Sequence, residues 1–186
     1  MKGVVFTEFL EMVERRFSAN LADSIIEACD LPSGGAYTAV GTYDHRELVD
    51  LVNALGKATG LPVSELVRTF GRHLFGRFVE LYPRFFERVP SAFDFLMNIE
   101  GCIHAEVKKL YPDAELPTFE CRPTAHDRMD MIYRSSRPFA DLAEGLIMGC
   151  AEHFGEQITI RREPLPGHDG RGVRFSLARA ARPCTT

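Results

Sequence analysis

The apolar residues of this chain change their spacing once, at Pro117, and that change constrains the fold more than any other feature. Before it, apolar positions recur every three or four residues, as on one face of an α-helix. Val4, Val5, Phe6, Phe9, Leu10, Val13 and Phe17 give a first amphipathic helix, and Leu21, Ile25, Ile26 and Cys29 give a second. The DLPSGG stretch at 30–35 stops it. Asp44 is placed to cap a helix carrying Leu48, Leu51, Val52 and Leu55, which ends at Gly56 or Gly60. Ser64 and Glu65 open the next helix, with Leu66, Val67, Phe70, Leu74, Phe75 and Phe78. Pro83 and Pro90 bracket a short Phe-rich segment, and Ser91 is the expected N-cap of one long helix running through His104.

After Pro117 the spacing is two. Phe119, Cys121 and Pro123, then Met129, Met131 and Tyr133, predict two strands joined near His126 and Asp127. Pro138 opens a helix with Phe139, Leu142, Leu146, Ile147, Cys150 and Phe154. Strands over 157–162 and 172–177 flank a hairpin loop at 164–170. This order predicts an α+β domain, a helical N-terminal subdomain followed by a four-stranded antiparallel sheet with helices. We expect one domain over 1–178 and a frayed tail over 179–186.

Bulk properties narrow the function classes. The chain has 186 residues, 45% of them hydrophobic, enough for one sizeable core. A net charge of −4 argues against bulk binding to nucleic acid. No apolar run approaches about 18 residues and there is no export signal, so no membrane span is expected. Five widely spaced cysteines, an odd number, read as reduced thiols in a cytoplasm.

Two features carry the chemistry. His104 sits among Ile99, Ile103, Val107 and Leu110, so a single imidazole is presented from an apolar helix. A haem iron with an open coordination position needs such a ligand, with its second ring nitrogen held by a hydrogen bond. The blander reading is a half-buried histidine bonded to a backbone carbonyl. The second feature is Tyr133-x-Ser135-x-Arg137. On an extended strand these three point to one side, spanning about 13 Å. Two hydroxyls and a guanidinium fork suit two carboxylates on one flat ring system. A solvated strand edge is the alternative. No CxxCH is present, so a haem would be held without thioether bonds.

Together these features resemble the haem nitric oxide/oxygen binding (H-NOX) family, the sensor module shared by bacterial proteins and soluble guanylate cyclases. The marks are the extreme N-terminal helix, residues 98–104 ending in His104, Pro117, Tyr133-x-Ser135-x-Arg137 and Gly145-Leu146-Ile147. They span nearly the whole chain, to about Leu177. The resemblance implies a non-covalent haem b between the two subdomains, with His104 as proximal iron ligand. Tyr133, Ser135 and Arg137 would bind the propionates, while Pro117 and Val5 would pack on the macrocycle. The implied distal pocket is Phe9, Leu74, Phe78, Leu142 and Leu146. Oxygen-binding members of the family carry a tyrosine donor where this chain has Leu142, and no tyrosine occurs in 138–154. An apolar pocket should therefore take NO and CO but not hold O₂ stably.

The expected signal is breakage of the iron–His104 bond when NO binds. The expected reader is a separate histidine kinase or a cyclic-di-GMP cyclase or phosphodiesterase. The expected class is thus a sensor, not an enzyme. The rival is a small haem peroxidase or oxygenase using His104, which would need a distal acid–base group. Another is a haem-free binder of a different apolar ligand. His73, next to Leu74, is expected to project elsewhere. Cys150 and His153 form half of a possible zinc site, with no second Cys/His pair in the following strands.

Overall fold

A computed structural model describes residues 1–167 and 171–180. The helical part comprises α1 (Gly3–Arg16), α2 (Ala19–Glu27), α3 (His45–Thr59) and α4 (Val63–Leu81). Polar caps set several boundaries. Ser18 Oγ accepts from the Leu21 amide at the start of α2, and Asp44 Oδ1 accepts from the Arg46 amide at the start of α3. Gly60 ends α3 at φ 73°, a left-handed conformation that glycine adopts without steric penalty. The expected opening of α4 at Ser64 moves back: the helix starts at Val63 behind Pro62, whose fixed φ suits the entry.

A 3₁₀ turn (Pro83–Phe85) leads to α5 (Ala92–Met97). Ser91 does cap a helix, its Oγ accepting from the Asp94 amide, but not one continuous helix through His104. After α5 the chain takes a π-helical turn (Ile99–His104) and then α6 (Ala105–Leu110). A π turn holds one residue more than an α turn and shifts every side chain that follows. The sheet contains β1 (Thr118–Ala125), β2 (Arg128–Arg134), β3 (Ile158–Pro164) and β4 (Gly172–Arg179), with α7 (Ala140–His153) between β2 and β3. All pairings are antiparallel in the order β1-β2-β4-β3.

Arg179, expected in a frayed tail, instead closes β4. Its amide donates to the Asp127 carbonyl, its guanidinium lies 3.1 Å from Glu156, and it stacks 4.4 Å from the Phe93 ring. Residues 181–186, the rest of the expected tail, and 168–170 of the hairpin loop lie outside the described residues.

Two apolar clusters form the core. One gathers Phe6, Phe9 and Met12 of α1 with Leu48, Leu51 and Leu55 of α3 and Phe70 and Leu74 of α4. The other joins Phe75 and Phe95 to Met129, Met131, Tyr133 and Phe175 on the inner sheet face and Ile147 of α7. Each fully buried Phe contributes about 1.5–3 kcal/mol, so α1 and α4 are held mainly by such contacts. Helices α4 and α7 serve both clusters, Leu74 facing one and Phe75 the other, with Leu146 touching both.

Candidate functional site

His104 ends the π-helical turn and is largely buried, its side chain 16% exposed. Its Nδ1 lies 3.0 Å from Glu100 Oε1, and that same oxygen accepts the Phe119 amide at 2.8 Å. The ring also packs 5.8 Å from the Phe119 ring. Burial lowers the imidazole pKa, opposed by the Glu100 charge, which favours the neutral form that a metal requires. With Nδ1 engaged, Nε2 is the nitrogen left to ligate. Pro117 shares a cleft with His104, lined also by Glu100, Ala105, Lys108, Leu116 and Thr118.

Tyr133 lies in β2, 2% exposed, paired in register with Phe119 of β1 and Val173 of β4. Burial raises its pKa, keeping the phenol protonated as a donor. Ser135 and Arg137 do not continue the strand, contrary to the extended geometry expected. β2 ends at Arg134, and the Arg137 amide donates to Ser135 Oγ at 3.0 Å, so the chain turns. A serine hydroxyl competes in this way for local backbone donors. Arg137 still faces inward, its side chain 15% exposed. Its guanidinium holds Glu115, one nitrogen 2.6 Å from Oε2 and the other 3.2 Å from the carbonyl.

On the other side, Val5, Phe9, Leu74, Phe78, Leu142 and Leu146 all belong to one apolar cluster. Phe9 and Leu74 are buried, and the other four are half-buried. His73, next to Leu74 on α4, turns toward α1, its Nε2 3.5 Å from Glu8 Oε2. Glu8 is itself buried and bonded to Arg77 Nε at 2.7 Å. The two groups of candidates thus carry distinct chemistry, an imidazole and a carboxylate-binding fork in one and an aliphatic and aromatic cluster in the other.

The sequence profile of the haem-NO-binding family matches residues 2–162. The chain belongs to the H-NOX family. The unliganded ferrous H-NOX protein of K. algicida has the same fold at a TM-score of 0.91 and 36% identity, covering 98% of each chain. The H-NOX of Shewanella woodyi, solved bound to IWP-051 in its ferrous CO state, is 44% identical with a TM-score of 0.83. That match covers 98% of this chain and 96% of the other. The S. oneidensis H-NOX in its ferrous NO state, at 24% identity, shares the fold with a TM-score of 0.89 over 97% of this chain and all of its own. No curated protein matches the chain. H-NOX domains are haem-based gas sensors rather than enzymes, and haem is the family's cofactor.

The donors in this H-NOX chain fit that cofactor. Arg137 already grips a carboxylate, which is the chemistry a propionate offers. His104 presents a neutral nitrogen beside apolar residues, as a haem iron needs. The cleft at His104 and Pro117 measures about 240 Å³.

Two residues of this site were not singled out from sequence, Glu100 and Glu115. Glu100 stands four residues before His104, a spacing that brings helical side chains together and was the available signal. Glu115 meets Arg137 across a connector, and sequence spacing gives no sign of that. The remaining candidates go elsewhere. Cys150 is buried with Sγ 3.9 Å from the Ala92 carbonyl, and His153 packs its ring on Phe86 and Phe154. Among the described residues no helix is long and apolar enough to cross a membrane.

Proposed function

We propose that this chain senses nitric oxide in the cytoplasm through a ferrous haem b, held without covalent attachment and ligated by His104 Nε2. Carbon monoxide is the second ligand, and O₂ forms no stable complex. Val5 and Pro117 pack on the macrocycle, Tyr133, Ser135 and Arg137 hold its propionates, and Phe9, Leu74, Phe78, Leu142 and Leu146 line the gas pocket. The observation that carries this reading is the clustering of six apolar side chains, with Leu142 among them, in one wall. An apolar wall offers bound O₂ no donor for its partial negative charge, whereas NO on ferrous iron needs little such help. The relatives in ferrous NO and CO states bind those gases and support the choice.

When bound, a haem would supply the iron that takes the gas, with His104 as the residue that holds it. The protein's own residues do the rest. His104 ties the π-helical turn to the pocket, and its release frees that turn. Lys2 connects this region to α1: its Nζ lies 3.2 Å from Asp113 and 4.7 Å from the Tyr111 ring centre, both in or beside the connector that follows α6. Displacement of the connector is thereby passed to α1, and so to the helical subdomain, as a two-state change biased by ligand. A separate histidine kinase or a cyclic-di-GMP cyclase or phosphodiesterase reads that change.

The test is the visible spectrum of the purified ferrous protein without oxygen, then with NO, and separately with air. A five-coordinate ferrous spectrum converted by NO, with no stable oxygen complex in air, is expected. A stable oxygen complex overturns the assignment of the gas pocket, and a protein that takes up no haem overturns the whole reading.

A further inference from the structure

We infer that Glu100 is the positioning residue for the proximal imidazole, and that its carboxylate sets the strength of the iron–His104 bond. This rests on the assignment of His104 as iron ligand. Three observations carry it. Glu100 Oε1 lies 3.0 Å from His104 Nδ1, a hydrogen-bond distance for an N–H donor. The same oxygen accepts the Phe119 amide at 2.8 Å, so the carboxylate is anchored to β1 and not free to swing away. Among the described residues Glu100 forms no ion pair with a lysine or arginine, so no such cation competes with the imidazole for its charge.

The π-helical turn explains why this contact forms. Because such a turn holds one more residue than an α turn, residues four apart stand more nearly one above the other. Glu100 and His104 lie inside that turn, and their side chains meet end to end. A carboxylate on Nδ1–H fixes the tautomer that leaves the Nε2 lone pair free, orients the ring, and makes it a stronger electron donor. The anchor also reaches the other half of the site. Phe119 pairs in register with Tyr133, and its ring lies 5.4 Å from the Tyr133 ring and 5.8 Å from His104. One carboxylate oxygen therefore joins the iron ligand to β1, the strand paired with the one that carries Tyr133. In this chain Glu100 opposes loss of the iron–His104 bond, raising the threshold at which NO releases the histidine.

The experiment compares wild type, Glu100→Gln and Glu100→Ala as ferrous haem proteins by resonance Raman spectroscopy of the iron–histidine stretch. The frequency should fall in Glu100→Ala and fall less in Glu100→Gln, which keeps an acceptor for Phe119 and for Nδ1–H. A parallel measurement uses His104→Gly with added imidazole as the probe. Its imidazole affinity should drop by about 10- to 100-fold when Glu100→Ala is added. Unchanged frequencies with unchanged imidazole affinity overturn the inference while leaving the sensor reading intact. If the wild-type protein takes up no haem, the sensor reading fails instead. The Nδ1 contact is then decided by side-chain ¹⁵N shifts of His104 in wild type and Glu100→Gln. A difference between the two sustains the contact, and its absence ends it.

Discussion

At the α4–α7 crossing backbone meets backbone, whereas along residues 98–117 the chain is held largely by hydrogen bonds from side chains. A Cβ placed on Gly145 would lie 2.2 Å from the Arg68 carbonyl oxygen, and one on Gly71 2.5 Å from that of Leu142. Leu142 and Leu146 ride on this crossing and are fixed relative to α4. The π-helical turn and α6, by contrast, contain no fully buried residue, His104 included. Their ties include the two bonds of Glu100, the bond from Asn98 to the Asp94 carbonyl at 2.8 Å and the half-buried Ile99 and Ile103 against the second cluster. Few buried contacts and exposed hydrogen bonds place a segment at the low-stability end of a fold. On the proposed function, that division would suit a sensor, with a stiff wall to select the gas and a loosely held ligand free to move.

The largest effect should come from breaking the crossing itself. Gly145→Ala forces α4 and α7 apart and should cost about 1–3 kcal/mol, beyond anything a better helix former restores. Thermal unfolding of the haem-loaded protein should show a melting temperature lower by roughly 3–10 °C. An unchanged melting temperature would mean that the two helices are not locked.

Next in size is a change of chemistry on the stiff wall. Leu142→Tyr puts a phenolic donor on α7 where its direction is fixed by the crossing. A hydrogen bond of about 0.5–1.5 kcal/mol raises O₂ affinity up to roughly tenfold. Equilibration with air, followed by visible spectra, reads this directly. No gain in O₂ affinity would show that residue 142 does not face the gas.

The same Gly-to-Ala change should have the opposite sign in the loose segment. A Cβ on Gly101 meets nothing within 4 Å. Gly101→Ala should therefore stabilise by about 0.4–1 kcal/mol through the unfolded chain. Because it stiffens the turn that holds His104, it should also make NO less effective at releasing the histidine. A destabilised Gly101→Ala protein would erase the contrast with Gly145.

The stiff half of the molecule was the more legible in sequence, for a physical reason. Val5, Phe9, Leu74, Phe78 and Leu142 sit on regular helices, where a period of three or four residues reports the buried face, and all five reach one cluster. The period change at Pro117 likewise placed β1 and β2. The loose half misled because its geometry departs from regular periods. Ile99 and Ile103 look like one face of a continuous α-helix, and nothing in their spacing betrays a π turn. Tyr133, Ser135 and Arg137 alternate as a strand would, yet Ser135 captures the Arg137 amide and bends the chain. Contacts such as Glu100 with Phe119, nineteen residues apart, depend on the tertiary fold and leave no local trace.

The smallest effect concerns pH, and it separates the helical frame from the proximal segment once more. His73 lies between α1 and α4, facing Glu8, with Glu11 and Arg15 nearby. Burial lowers its pKa below the usual 6.5, and Glu8 and Glu11 offset this only in part. The folded state then binds fewer protons than the unfolded chain, so stability rises with pH in this range. Falling pH should begin to remove that stability near 6.5, where the unfolded histidine starts to protonate. The carboxylates with lowered pKa, Asp44, Asp113 and Glu120, act in the same direction but only below about 4.5, where their unfolded forms titrate. Between pH 5 and 7 the histidines are therefore isolated. Melting temperatures across that window should fall toward acid in wild type and fall less in His73→Gln, leaving the slope owed to His45 and His104, whose pKa values burial also lowers. Equal slopes in the two proteins would place the acid sensitivity outside the α1–α4 contact, and the frame would then be indifferent to pH.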